Sequence, residues 1–154
     1  MLFRSHNSKV ISAAKKILPD LSRDFIAGSV GAKSAVMDIV NELPRVEGFR
    51  AGIGSGSICI TSEVTRVGAP TLFAVAETAS GVKEMNLDIP VIADGGIRGP
   101  GDAALSIAAG ASSAMLGSML AGTDSSPGKV LVRDGRKFKI HRGMASAEIG
   151  RAHV

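Results

Sequence analysis

The sequence contains few of the residues that build disulfides or aromatic surfaces. It has one cysteine, no tryptophan, no tyrosine and five phenylalanines among 154 residues. A single cysteine excludes an intrachain disulfide and is typical of a reducing compartment, so we expect a cytoplasmic protein. Little aromatic surface is available for stacking bases, and this argues against nucleic-acid binding.

Long apolar runs are also missing. No run approaches the roughly 18 residues of a membrane helix and no secretory signal is visible, so we expect no membrane partner. Before Asp20 the chain carries four basic residues and no acidic one, a pattern shared by amphipathic surface helices and organellar presequences. The net charge of +4 is modest and suits an anionic substrate such as a nucleotide monophosphate.

Helix-like and strand-like segments alternate along most of the chain. Apolar spacing predicts helices over residues 8–18, 33–43, 71–85 and 101–109, the first capped by Ser8 and the last closed by Gly110. The third helix is expected to bury Leu72, Val75, Ala76, Ala79 and Val82. Short apolar runs predict strands over residues 24–30, 49–53, 89–93 and 113–116. This alternation indicates right-handed βαβ units and a parallel sheet, with ligands beyond the carboxyl ends of the strands.

The end of the chain has a different pattern. Asp134-Gly135 stands between strand-like residues 130–132 and 137–140, which is a strong signal for a β-hairpin. We therefore predict a unit of parallel βα elements over residues 1–128 and a hairpin unit over residues 129–154.

Residues 52–61 form the stretch around which the other elements are arranged. Glycines alternate at positions 52, 54 and 56, and the only cysteine follows at position 59. Glycine permits positive φ and close approach of the backbone to a ligand, whereas a deprotonated cysteine is a strong nucleophile. The alternative is that Cys59 is a small packed apolar residue. The stretch matches neither the Gly-x-Gly-x-x-Gly dinucleotide motif nor the P-loop.

The run Gly-Ser-Gly-Ser-Ile-Cys-Ile-Thr at residues 54–61 resembles the catalytic loop of the IMP dehydrogenase and GMP reductase family. Three more matches follow in the family's order: Ile-Ala-Asp-Gly-Gly-Ile-Arg at 92–98, Met-Leu-Gly-Ser-Met-Leu-Ala-Gly-Thr at 115–123, and Arg-Gly-Met at 142–144. Nearly the whole chain resembles roughly the second half of the family's catalytic domain. The resemblance implies an α/β fold of (β/α) units from a TIM-type barrel: a half barrel of about four βα units, a C-terminal hairpin and the start of a truncated flap.

The resemblance also implies a reaction and its residues. The reaction is the NAD-dependent oxidation of IMP to XMP in guanine nucleotide synthesis, through a covalent adduct at Cys59, with Thr61 as a second catalytic residue. The implied substrate-binding residues are Ser57, Asp94, Gly95, Gly96, Gly117, Ser118, His141, Arg142, Gly143, Met144 and Ala145. Of these, the resemblance assigns Ser57, Gly96, Gly117 and Ser118 to the phosphate, Asp94 to the ribose hydroxyls, and the backbone of Gly143 and Met144 to the base. The implied NAD-binding residues are Ser29, Arg50, Gly52, Ile53 and Gly54. The implied ligands of a monovalent cation, potassium, are the main-chain carbonyls of Gly54, Gly56 and Cys59. From sequence alone, Asp94 serves equally well as a cap for the turn that follows it.

Several positions depart from the family's pattern. Ser29 stands where asparagine is usual, His141 where tyrosine is common, and Ala145 where glycine is common. The Arg-Tyr pair of the flap, associated with water activation, has no counterpart because the sequence contains no tyrosine. The sequence therefore supports nucleotide binding more strongly than turnover.

Three functions stay open at this point. Gly117-Ser118 favours IMP dehydrogenase, because GMP reductases tend to have Gly-Gly there. GMP reductase, which would convert GMP to IMP with NADPH, is the second interpretation. The third is a truncated, non-catalytic remnant that binds a nucleotide or only pairs with a partner. In each case the half barrel would leave two sheet edges unpaired, which predicts a homo-oligomer.

Overall fold

The computed structural model of the chain describes residues 7–143, and its main feature is a sheet of four parallel strands. Their spatial order is the chain order: β1 (Ile26–Val30), β2 (Gly48–Ala51), β3 (Val91–Asp94) and β4 (Ser113–Met115). A separate antiparallel hairpin consists of β5 (Val130–Arg133) and β6 (Arg136–Lys139). The predicted parallel sheet and the predicted hairpin are thus confirmed.

Six α-helices lie among the described residues: α1 (Ser8–Ile17), α2 (Lys33–Glu42), α3 (Thr61–Thr65), α4 (Thr71–Glu84), α5 (Pro100–Ala108) and α6 (Ser118–Ala121). A 3-10 turn at Leu18–Asp20 follows α1. The short helices α3 and α6 were not predicted, since four or five residues are too few to show an apolar period. Among residues 7–143 no helix is long and apolar enough to cross a bilayer.

The core lies between one face of the sheet and helices α2 and α4. Alternate strand residues point into it, and Phe49, Ala51 and Ala93 are fully buried there. Helix α2 contributes Val36 and Ile39, both fully buried. The core therefore depends on period-2 strands packed against an apolar helical stripe.

The other face of the sheet is much more open. Arg50 and Ile92 lie on it, and Ile26 and Met115 on the outer strands are 49% and 42% exposed. This face and residues of α1 line an apolar cavity of about 440 Å³. Strands β1 and β4 each have one neighbour in the described part of the chain. The two sheet edges are therefore unpaired there, as the sequence predicted.

Two predictions about helices α1 and α4 were wrong. Asn7, not Ser8, caps α1, because the Asn7 side chain accepts a hydrogen bond from the Lys9 amide at 2.9 Å. In α4, Leu72 and Ala76 are exposed, whereas Thr78 and Gly81 are buried. The helix turns its small residues inward since α2 packs very close: a Cβ on Gly81 would lie 2.9 Å from the Val36 Cβ.

The four strands each differ from the predicted ranges by one or two residues at one or both ends, and two of these boundaries have a local reason. Strand β2 ends at Ala51 instead of residue 53, because Gly52 has a φ of +129° that no extended strand adopts. Strand β3 begins at Val91 instead of residue 89, because Pro90 has no amide proton to donate. These boundaries fix where the loops at the carboxyl ends of the strands begin.

Candidate active site

The loops that follow β2, β3 and β4 meet at one edge of the sheet. Parallel strands have their carboxyl ends on the same side, so the loop after Ala51, the turn after Asp94 and the segment after Met115 emerge together. The motifs were predicted to face one site, and the parallel pairing puts the loops that carry them on one edge of the sheet.

The loop after β2 is held at its first residue. The Gly52 amide donates to the Val30 carbonyl of β1 at 2.9 Å. A Cβ on Gly52 would lie 2.0 Å from the Asp94 carbonyl oxygen, a distance at which no side chain fits. Farther along, the Ala69 amide donates to the Ile53 carbonyl at 2.9 Å and ties the returning chain to the loop. The loop therefore starts from a rigid point between β1 and β3.

Cys59 lies near the tip of this loop. Its thiol is free and partly exposed, and the exposed Ile58 and Ile60 flank it. The Cys59 amide donates to the Gly56 carbonyl at 3.0 Å and forms a tight turn. Thr61, two residues on, starts α3 and is partly exposed. This partly exposed position does not match a packed apolar cysteine.

Asp94 ends β3 beside Arg50, which lies on the neighbouring strand. The Arg50 Nη1 and Asp94 Oδ2 atoms are 3.1 Å apart, and both side chains are largely shielded from solvent. Burial raises the pKa of the Asp94 carboxyl above its ordinary value, and the Arg50 guanidinium partly offsets this. Arg50, which the resemblance assigns to NAD, therefore contacts the carboxylate that it assigns to the substrate ribose.

The turn after Asp94 packs directly against the cysteine loop. Gly95 has a φ of +88°, and a Cβ there would lie 2.6 Å from the Ser55 hydroxyl oxygen. Gly96 follows with a φ of +71°. Both residues share a cleft of about 580 Å³ with Ser57 and Cys59. Two of the three loops therefore form one continuous wall.

The segment after β4 is less closely joined to that wall. Gly117 and Ser118 are exposed and start α6, and neither lines the cleft. His141 lies beside Gly117, where its Cε1 atom would be 4.0 Å from an added Cβ. The structure thus brings Ser57 and Gly96 into one cleft. Gly117 and Ser118, the other two residues that the resemblance assigns to the phosphate, lie outside it.

The residues after the hairpin return towards the cysteine loop. Gly143 contacts it so closely that a Cβ would lie 2.9 Å from the Ile58 carbonyl oxygen. Arg142 is exposed. Met144 and Ala145, also predicted to bind substrate, lie outside the described residues. Gly143, which the resemblance assigns to the purine base, is therefore next to the loop that carries Cys59.

The loop residues are chemically suited to a monovalent cation. In the described part of the chain no group of three or more His, Cys, Asp or Glu side chains is arranged to bind a metal ion, so a cation here would depend on main-chain oxygens. The Gly56 carbonyl accepts one hydrogen bond, from Cys59, and the Gly54 carbonyl accepts one from Ser62 at 3.5 Å. Each oxygen keeps a second lone pair that can face an ion.

Only some of the residues that the resemblance assigns to NAD are exposed enough to contact a dinucleotide. Ser29 is 6% exposed and Gly52 is buried, whereas Ile53 and Gly54 are partly exposed. Arg50 is paired with Asp94. A nicotinamide cofactor would therefore contact this chain chiefly through the Ile53–Gly54 part of the set.

Sequence reasoning missed Ser55 and Thr71, which line the cleft and hydrogen bond to each other. Ser55 could have been identified from the sequence, because its hydroxyl stands between two glycines of the glycine-rich run. Thr71 had none, because its role depends on how the start of α4 meets two distant loops. Asp102 also lines the cleft. Its carboxylate accepts hydrogen bonds from the backbone amides of Arg98 and Gly99, at 2.8 and 3.1 Å, and so caps α5.

Comparisons with known proteins identify the family that this chain matches. Residues 3–153 match the model of the IMP dehydrogenase / GMP reductase domain. The inosine-5'-monophosphate dehydrogenase of Korarchaeum cryptofilum is 50% identical over 141 residues, which are 92% of this chain and 29% of that protein. The GMP reductase of Leishmania donovani is 48% identical over 122 residues, which are 79% of this chain and 24% of that protein.

A solved structure shows the same fold. The crystal structure of a GMP reductase from Trypanosoma brucei in complex with guanosine 5'-monophosphate superposes with a TM-score of 0.84 at 40% identity, covering 94% of this chain and 30% of that one. The chain thus spans less than a third of the length of these relatives. The match to this TIM barrel confirms the predicted half barrel of four βα units.

Proposed function

Since the chain belongs to the IMP dehydrogenase / GMP reductase family, we propose that it binds IMP and oxidises it to XMP through a covalent adduct at Cys59. The observation that carries this proposal is the direct contact of the cysteine loop with the turn that follows Asp94. A nucleophile on one loop and ribose- and phosphate-binding groups on the next are what a nucleoside monophosphate requires.

The nucleotide would lie across the carboxyl ends of β2, β3 and β4. Asp94 would accept hydrogen bonds from the ribose hydroxyls, and the Ser57 hydroxyl and the Gly96 amide would bind the phosphate. Gly117 and Ser118 would close the phosphate site from the side of β4. Gly143 would approach the purine base through its backbone, as would Met144. Proximity of Gly143 to Ile58 supports this orientation.

The chemistry requires a group that is both nucleophile and leaving group. The Cys59 thiolate would attack C2 of the purine, forming a carbon–sulfur bond while hydride leaves C2. NAD, when bound, supplies the hydride acceptor. Water would then hydrolyse the thioimidate, releasing XMP and regenerating the thiolate. A potassium ion on the Gly54, Gly56 and Cys59 carbonyls would hold the loop in the conformation that presents the sulfur.

Binding is better supported than turnover. The residues proposed for the ribose and phosphate are present, whereas Ser29 stands where the family usually has asparagine and these 154 residues contain no tyrosine for the flap pair associated with water activation. Loss of catalytic groups with binding groups retained lowers kcat more than affinity. We expect IMP to bind this chain and NADH to form very slowly, with a stalled adduct at Cys59.

The test is a set of two assays on the purified chain. One follows NADH formation from IMP and NAD, and the other follows NADPH consumption with GMP. Mass spectrometry of Cys59 after each assay detects the adduct. Fast multiple-turnover oxidation of IMP would show that this chain activates water without the flap pair, and Thr61, His141 and Arg142 would then be the first residues to substitute. Retained IMP binding by titration calorimetry, with neither adduct nor turnover, would select the non-catalytic, nucleotide-binding remnant. Loss of IMP binding as well would leave a remnant that only pairs with a partner.

GMP reductase is the second candidate, favoured by the 48% identity to the Leishmania donovani GMP reductase and by the 0.84 TM-score to the Trypanosoma brucei one. The same cysteine would then expel ammonia from C2 of GMP. NADPH consumption with GMP that exceeds NADH formation from IMP would select this function.

The setting of the reaction follows from the rest of the chain. The single free cysteine supports a cytoplasmic location. The loops proposed to bind the ribose and phosphate lie in the barrel unit, residues 1–128. The residues proposed to approach the base lie in the hairpin unit, residues 129–154. The unpaired edges of β1 and β4 support a homo-oligomer.

A further inference from the structure

Thr71, the first residue of α4, contacts both loops of the proposed site. Its hydroxyl oxygen lies 2.6 Å from the Ser55 hydroxyl oxygen in the cysteine loop and 2.8 Å from the Gly95 carbonyl oxygen in the turn after β3. All three residues are partly buried. Thr71 is therefore a short link between two segments that are far apart in sequence.

The direction of these two hydrogen bonds follows from their chemistry. The Gly95 carbonyl can only accept, so the Thr71 hydroxyl donates its one proton to it. The proton in the other bond must then come from Ser55, whose hydroxyl donates to the Thr71 oxygen. The result is a chain from Ser55 through Thr71 to Gly95, in which each bond polarises the next.

The two loops are already in close contact around the link. A Cβ on Gly95 would lie 2.6 Å from the Ser55 Oγ, and one on Gly96 would lie 3.1 Å from the Thr71 Oγ1. The link therefore acts where the loops already touch. Loss of the Thr71 hydroxyl would leave the Ser55 hydroxyl and the Gly95 carbonyl without these partners in a partly shielded site.

We propose that Thr71 is a positioning residue that fixes the cysteine loop against the turn after Asp94, so that Cys59 and the ribose- and phosphate-binding groups meet the same nucleotide. The nucleotide part of this claim rests on the proposed function. The link between the loops is a property of the free chain and is tested without any ligand.

The experiment compares three variants with the wild-type chain. Thr71→Val removes the hydroxyl at nearly constant shape, and Thr71→Ser keeps it. The matched control is Thr78→Val in the same helix, where the hydroxyl of the fully buried threonine donates to the Ala74 carbonyl of its own helix at 2.7 Å. Amide hydrogen exchange is measured for peptides spanning residues 52–61 and 94–97, followed by IMP affinity and protection of Cys59 from iodoacetamide by IMP.

For Thr71→Val we expect exchange in both peptides to rise together by roughly tenfold, since two hydrogen bonds are lost. IMP affinity and Cys59 protection should fall with it. Thr71→Ser should behave as wild type, and Thr78→Val should leave both peptides unchanged. Unchanged exchange in Thr71→Val would overturn the link, as would an equal rise in Thr78→Val. Faster exchange with unchanged IMP affinity would overturn the positioning role. If the wild-type chain binds no IMP, the proposed function fails, and with it the positioning role, while the exchange comparison still decides whether the link exists.

Discussion

Gly52→Ala is the substitution that most sharply tests how the cysteine loop is anchored. Gly52 has a φ of +129°, and an added Cβ would lie 2.0 Å from the Asp94 carbonyl oxygen. The strained backbone costs about 1–3 kcal/mol, and forcing an extra carbon against packed backbone costs about 1–3 kcal/mol more. Their sum is roughly 2–6 kcal/mol, a large part of the 5–15 kcal/mol that stabilises a typical domain.

The assay is urea unfolding followed by circular dichroism, with the midpoint and slope fitted for each variant. Gly101→Ala is the matched control, because no atom lies within 4 Å of an added Cβ and its backbone is helical in α5. Alanine is the better helix former, so the control should be neutral or stabilising by up to about 1 kcal/mol. A Gly52→Ala chain within about 0.5 kcal/mol of wild type would refute the claim that the loop starts from a rigid point between β1 and β3.

Three further predictions concern the site and the sheet edges. Cys59 should react quickly with iodoacetamide at neutral pH, and IMP should slow the reaction. Slow labelling at a rate that IMP does not change would show that Cys59 is a packed residue and not a nucleophile. Because burial raises the pKa of Asp94 in the folded chain, the folded state binds that proton more tightly, so its contribution to stability should fall as pH rises between the unfolded and folded pKa values. We would measure the free energy of unfolding of wild type and Asp94→Asn in urea over about pH 4 to pH 7. The value for wild type should fall relative to that for Asp94→Asn as the pH rises, and parallel curves would contradict this prediction. The unpaired edges of β1 and β4 should make the chain a dimer or larger by light scattering, and a stable monomer at micromolar concentration would exclude that interface.

The fold was accessible from the sequence because its signals are local. Apolar residues alternate with period 2 through Phe49 and Ala51 and recur at helical spacing in Ala35, Val36 and Ile39, and all five are buried. The inner face of α4 was misjudged because Leu72 looks like a core residue, whereas the space beside α2 admits only a glycine at position 81. Such a contact depends on the distance between two helices, which no local pattern encodes.

The site was accessible only where a residue carries its own chemical signal. Cys59 and Asp94 have such a signal, and the loops that hold them do meet at one edge of the sheet. The pairing of Arg50 with Asp94 and the link through Thr71 were not predictable, since each joins strands or loops tens of residues apart in sequence. The roles of these residues towards a nucleotide stay predictions until binding is measured.

Titration calorimetry with IMP tests the central claim most directly. We expect saturable binding at one site per chain, and affinity lower by about 10- to 100-fold in Asp94→Asn, because a hydrogen bond to a charged acceptor contributes about 1.5–3 kcal/mol. Absence of binding heat in a chain that is folded by circular dichroism, or equal affinity in wild type and Asp94→Asn, would contradict the account.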